Sequence, residues 1–95
     1  NIDHIARYGG EEFILILTNS DKNQAAICAE RIRKKIKDLV FEKMPSDFRI
    51  TISVGVTEYQ SNEVIEEAIN RADTALYRAK ANGRDRVEYE PMTPA

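Results

Sequence analysis

Apolar side chains occupy both faces of the five-residue run Phe13-Ile14-Leu15-Ile16-Leu17, the mark of a strand buried on both sides rather than half in water. Tyr8-Gly9-Gly10 precedes it, and a Gly-Gly pair suits a tight hairpin, so the strand is expected to be entered through a two-glycine turn. Thr18 to Lys22 is a polar break in which Asp21 and Gln24 have capping-box spacing. Beyond it Ala25, Cys28, Ala29, Ile32, Ile36, Leu39 and Val40 recur at three- and four-residue intervals, which predicts an amphipathic helix over roughly 22–42. Pro45 and Ser46 end it. Ile50, Ile52, Val54 and Val56 then alternate with Thr51, Ser53, Gly55 and Thr57, giving a second long strand with one oily face and one face of small side chains.

After Gln60 and Ser61 the period returns to that of a helix. Ile65, Ala68, Ile69, Ala72, Leu76 and Ala79 form one stripe, and Gly83 stands where a left-handed terminator is expected, so the second helix spans about 63–82. Arg86 to Tyr89 adds a short strand, and residues 91–95, with Pro91 and Pro94, read as a frayed, disordered tail behind a single unit over 1–90. The order strand, helix, strand, helix, strand indicates an α/β or α+β layered fold. Right-handed crossovers between parallel strands put both helices on one face of the sheet. That leaves the other apolar face of Phe13–Leu17 bare and in need of a partner, such as a second copy of the chain.

Ninety-five residues allow one small domain. The start at Asn1, without a methionine, points to a segment of a longer protein. Fourteen Lys and Arg against sixteen Asp and Glu leave a net charge of −2, so no global positive field argues for nucleic acid or membrane, and any anion must be held locally. The longest apolar run is far short of a bilayer span. One cysteine permits no internal disulfide, which suits a reducing, cytoplasmic setting.

Two clusters carry candidate chemistry. In Gly9-Gly10-Glu11-Glu12, glycines let backbone amides approach a phosphate, and a carboxylate just beyond the turn is a ligand for a divalent cation bridging the same phosphates; on these four residues alone, an ordinary hairpin flanked by exposed acids explains the pattern equally. Lys80 and Arg84 flank the Gly83 terminator, able to hold a common anion or simply to complement the helix dipole. The run Arg31, Arg33, Lys34, Lys35 and Lys37 lacks interleaved aromatics and reads as a solvated helix face. Cys28 lies on an apolar stripe, Tyr77 is expected to pack beside Leu76, and His4 has no partner for catalysis.

Arg7-Tyr8-Gly9-Gly10-Glu11-Glu12-Phe13, then Ile50-Thr-Ile-Ser-Val-Gly-Val56, then Ala72-Asp73-Thr74-Ala75-Leu76-Tyr77-Arg78-Ala79-Lys80-Ala81-Asn82-Gly83-Arg84 resemble, in order and spacing, the GGDEF family of diguanylate cyclases. The resemblance reaches Tyr89. It implies a cyclase-like palm, a ferredoxin-type sheet with helices, in which two GTP molecules on two copies of the domain are condensed to cyclic di-GMP with release of pyrophosphate, using Mg²⁺ or Mn²⁺. By the same resemblance Gly9 and Gly10 lie against the nucleotide, Glu11 ligates the metal, Glu12 supports that acidic site, and Lys80 and Arg84 bind phosphate. Asp3 falls where the family's product-inhibition site has its aspartate, and Arg31 where some members add an arginine. The family's first strand, with a metal-binding aspartate, and two helices that read guanine would precede Asn1, so the segment alone is expected to be inactive. A GGDEF module that binds GTP or cyclic di-GMP without turnover, and a structural dimerisation module, are the competing readings.

Overall fold

A computed structural model describes the backbone of residues 2–9, 12–18, 22–60 and 62–91 and the side chains of 12–16, 24–60 and 62–91. The elements are β1 (Ile2–Gly9), β2 (Glu12–Thr18), α1 (Lys22–Lys37), β3 (Ser53–Tyr59), α2 (Ile65–Ala81) and β4 (Arg86–Tyr89). One sheet holds all four strands in the order β1-β2-β3-β4. β1 and β2 pair antiparallel, while β2 with β3 and β3 with β4 run parallel. Gly9 closes β1 opposite Glu12, leaving residues 10 and 11, which lie outside the described residues, as the two-residue connection of the expected hairpin. The α+β class is as read from the sequence; the frayed tail falls largely on residues 92–95, also outside the described ones.

The two helices lie on opposite faces of the sheet. On one face Ala25, Ala29, Ile32 and Ile36 of α1 pack with Phe13, Leu15, Val54, Val56, Val87 and Tyr89. On the other, Ile65, Ala68, Ile69, Ala72 and Leu76 of α2 pack with Ile14, Ile16 and Tyr59. This corrects the expectation of a bare face. Both crossovers step one strand the same way, so helices on opposite faces give them opposite hands, against the usual rule. Burial prevails over handedness. Both helices on one side would leave Ile14 and Ile16 uncovered, forgoing about 1.5–3 kcal/mol each, whereas here they are 4% and 3% exposed.

The small face of β3 explains how close α2 comes. Ser53 and Thr57 are buried, and a Cβ placed on Gly55 would lie 2.1 Å from the Ala72 carbonyl oxygen. Across from them α2 presents the stripe Ala68, Ala72, Ala75 and Ala79, each fully buried. Small side chains on both partners let backbone meet backbone, and the fully buried Thr57 hydroxyl donates to the Glu90 carbonyl while accepting from Arg71 Nε. Arg71 also forms a 2.8 Å ion pair with Glu63 and, chiefly by that hydrogen bonding, holds the Glu63 carboxyl below its usual range.

Element boundaries moved where packing partners run out. α1 stops at Lys37 rather than near residue 42, and Leu39 and Val40, assigned to its stripe, are exposed past Ile36, the last side chain of that stripe in the core. The connection that follows is closed by an edge-to-face contact of Phe41 with Phe48, centroids 5.7 Å apart. β3 begins at Ser53, not Ile50, because its neighbours β2 and β4 first offer partners there, at Glu12 and Arg86.

Candidate functional site

Register brings the two candidate clusters together. Glu12, Ser53 and Arg86 form one row across β2, β3 and β4. α2 leaves the far end of β3 and returns to that row, so the β1–β2 connection and the C-terminus of α2 meet at one end of the sheet. There the Glu12 carboxylate lies 3.3 Å from Lys80 Nζ and 3.6 Å from Arg84 Nη1. Gly9, opposite Glu12, borders the same corner. Gly10 and Glu11 lie outside the described residues.

The end of α2 is built to present Arg84. The Gly83 amide donates to the Lys80 carbonyl and the Arg84 amide to the Ala79 carbonyl, at 3.3 and 2.8 Å, the paired bonds of a Schellman cap. Gly83 has φ 116°. Arg84 and Asp85 follow at φ 63° and 49°, a left-handed conformation that costs a side-chain-bearing residue on the order of 1–3 kcal/mol. Compensation comes from α1. Asp85 accepts 2.6 Å bonds from Arg33 Nη1 and Lys37 Nζ, and these, Lys37 first, hold its carboxyl below the usual range against the opposing effect of burial. Arg33 is itself gripped by both oxygens of Glu30, whose carboxyl it lowers in turn.

The corner suits a polyanion. Two cations share one carboxylate while Arg84 remains more than half exposed, and an ion pair in such a setting is worth about 0–1 kcal/mol. A phosphate chain has more charge and more acceptor oxygens than one carboxylate, the chemistry needed to compete for the same two side chains. Among the described residues no group of three or more His, Cys, Asp or Glu side chains is arranged to hold a metal ion by itself. Glu12 is a hard oxygen donor at the right corner, and Mg²⁺ is commonly held by one or two carboxylates together with substrate phosphates and water, so the donor chemistry of Glu12, with Glu11 beside it in sequence, fits that ion.

A family model described as diguanylate cyclase, GGDEF domain, matches residues 1–86. The chain belongs to the GGDEF family. Curated relatives include diguanylate cyclase A of Treponema denticola, 44% identical over 88 residues, which cover 92% of this chain and 24% of that protein. Diguanylate cyclase DgcP of Pseudomonas aeruginosa is 43% identical over 86 residues, 90% of this chain and 13% of the relative. The chain thus spans a quarter or less of these proteins. Among solved structures, the GGDEF domain of DgcB from Caulobacter crescentus in complex with c-di-GMP superposes with a TM-score of 0.69 at 32% identity, covering 90% of this chain and 52% of that one. That likeness bears out the cyclase-like fold and matches this chain to about half of that GGDEF domain's chain.

The remaining expected residues of the GGDEF reading fall elsewhere. Arg31 is exposed on α1, across the sheet from α2. Asp3 lies in β1 at a register shift between Ile2 and His4, toward the end of the hairpin away from Gly9, and its side chain is outside the described set. Neither meets the Glu12 corner. Tyr77, expected to pack, is 72% exposed on α2, one turn before Lys80. The basic run is solvated at Arg31, Lys34 and Lys35, but not at Arg33, whose side chain is only 13% exposed between Glu30 and Asp85. Arg33 and Asp85 were invisible as a pair because 52 residues separate them; the one local signal was Glu30, three residues before Arg33 on the helix.

Proposed function

We propose that the full-length protein carrying this chain is a diguanylate cyclase that condenses two GTP molecules into cyclic di-GMP. The observation that carries the reading is the convergence of Lys80 and Arg84 on Glu12 beside Gly9, in a chain of the GGDEF family. Each domain holds one GTP. Gly9 and Gly10 allow close approach of the backbone, and Lys80 and Arg84 take the terminal phosphates in place of Glu12. Released from the two cations, Glu12 is free to join Glu11 as a metal ligand. Mg²⁺ or Mn²⁺ held there would neutralise charge on the phosphate oxygens as it builds.

The 3′-oxygen of one GTP attacks the α-phosphorus of the other, a new O–P bond forms, and the bond to pyrophosphate breaks; a second, reciprocal transfer closes the ring. Two facing copies of the domain are needed, since each brings one nucleotide. The homodimer is therefore part of the proposal, as are a product-inhibition role for Asp3 and Arg31 and a cytoplasmic site of action where GTP is present. The described helices include none long and apolar enough to cross a membrane.

Arg84→Ala tests the phosphate assignment in the full-length protein. Losing charge-assisted bonds worth about 1.5–3 kcal/mol weakens GTP by roughly 10- to 100-fold. Guanosine, which has no phosphate, binds unchanged. Calorimetric titration with both ligands reads the difference, and equal weakening of the two would assign Arg84 to the fold instead.

A further inference from the structure

The turn that delivers Arg84 is held from the opposite face of the sheet. Gly83, Arg84 and Asp85 form three consecutive positive-φ residues, at 116°, 63° and 49°, and only the first is a glycine. An unconstrained L-residue returns to negative φ, and doing so at Arg84 or Asp85 would swing the Arg84 side chain away from Glu12. Both oxygens of Asp85 are occupied by cations of α1, Arg33 and Lys37, each at 2.6 Å. Arg33 is fixed in turn by two bonds to Glu30, 2.8 and 2.6 Å long.

We propose that Asp85, clamped by Arg33 and Lys37, is a positioning residue that keeps the 83–85 turn left-handed and thereby aims the Arg84 guanidinium at the phosphates of a nucleoside triphosphate. The inference rests on the reading of Arg84 as a phosphate ligand and extends it to α1, which contributes no group to the Glu12 corner among the described residues. The clamp is not needed to seat β4. Val87 and Tyr89 pack into the core against α1, Arg78 bonds the Glu90 carboxylate and the Tyr89 carbonyl, and Asn82 reaches Glu88, all independently of Asp85. Its distinctive effect is therefore on the backbone at residues 84 and 85, and so on where Arg84 points.

A double-mutant cycle on the full-length protein tests this, with GTP and guanosine titrated calorimetrically against Arg33→Ala, Arg84→Ala and the pair. Arg33→Ala is expected to weaken GTP about tenfold and to leave guanosine unchanged, a misaiming effect of ordinary size. In the Arg84→Ala background the same change is expected to cost less than twofold, because the side chain it aims is gone. Asp85→Asn keeps the size and the tolerance of positive φ and removes only the charge, so it runs through the same cycle as a second, milder variant, with a smaller expected loss of GTP affinity and none of guanosine, and decides the test if Arg33→Ala fails to fold. Losses that add in full, or that strike guanosine equally, overturn the positioning role while leaving Arg84 as a phosphate ligand. If Arg84→Ala itself spares GTP, the phosphate reading fails and takes this proposal with it.

Discussion

Gly55→Ala is expected to be the most damaging single substitution in the described core. A Cβ at this position would stand 2.1 Å from the Ala72 carbonyl oxygen, 2.5 Å from the Leu76 amide nitrogen and 2.9 Å from Leu76 Cβ. Two of the three obstacles are helix backbone, so no rotamer change relieves them and α2 must lift from β3. Lifting it exposes Ala68, Ala72 and Leu76 on the helix and Ile14 and Ile16 beneath. Ordinary overpacking costs about 1–3 kcal/mol; a clash with rigid backbone at this distance should reach or exceed the top of that range, against the 5–15 kcal/mol that typically holds a domain. Urea unfolding of the full-length protein, followed by circular dichroism, should show the transition of this domain moved to much lower denaturant or absent. Gly83→Ala offers a contrast, since its nearest obstacle is the flexible end of Arg86 at 3.1 Å and its penalty is chiefly that of positive φ, about 1 kcal/mol. Comparable stability of wild type and Gly55→Ala would contradict the close contact of β3 with α2.

Glu11→Gln in the full-length protein is expected to abolish cyclic di-GMP synthesis without lowering the unfolding temperature. The amide preserves shape and hydrogen-bonding capacity but is a far poorer ligand for a hard divalent cation than a carboxylate. Glu and Gln are nearly the same size and both are ordinary residues for a hairpin connection, so the substitution at Glu11 asks little of the fold. Product chromatography with Mg²⁺ present, beside a thermal melt, separates the two effects. Undiminished turnover would take Glu11 out of metal binding and return the Gly-Gly pair to ordinary hairpin chemistry.

Much of this architecture was legible in the residues because burial leaves a period. The alanine and isoleucine stripe from Ile65 to Ala79 and the Gly83 terminator located α2 to within two residues at either end. Alternation at Ile52, Val54 and Val56 marks the oily face of β3, the face that packs against α1 in the structure. β1 leaves no such mark in the sequence, because register shifts between Ile2 and His4 and between Arg7 and Gly9 break the two-residue period that a strand would otherwise show. Leu39 and Val40 continued the spacing of α1 but had no surface to pack on, and periodicity carries no information about that. Nor does alternation say which helix covers which face; a general handedness rule puts both helices on one side, whereas the apolar residues on both faces of the Phe13–Leu17 run call for cover on each. At the candidate site, Lys80, Arg84 and Glu12 were each singled out in the sequence. Their convergence depends on the row formed by Glu12, Ser53 and Arg86, a property of strand register. The clamp on Asp85 depends on α1 reaching a turn far along the chain, which no local pattern records.

The stoichiometry of the reaction tests the proposed cyclase activity most directly. Purified full-length protein is incubated with GTP and Mg²⁺, and nucleotides and pyrophosphate are quantified together as substrate is consumed. Cyclic di-GMP is expected as the nucleotide product, with two pyrophosphates released for each molecule formed. Appearance of GDP with orthophosphate, or GTP that is bound and recovered unchanged, would contradict it.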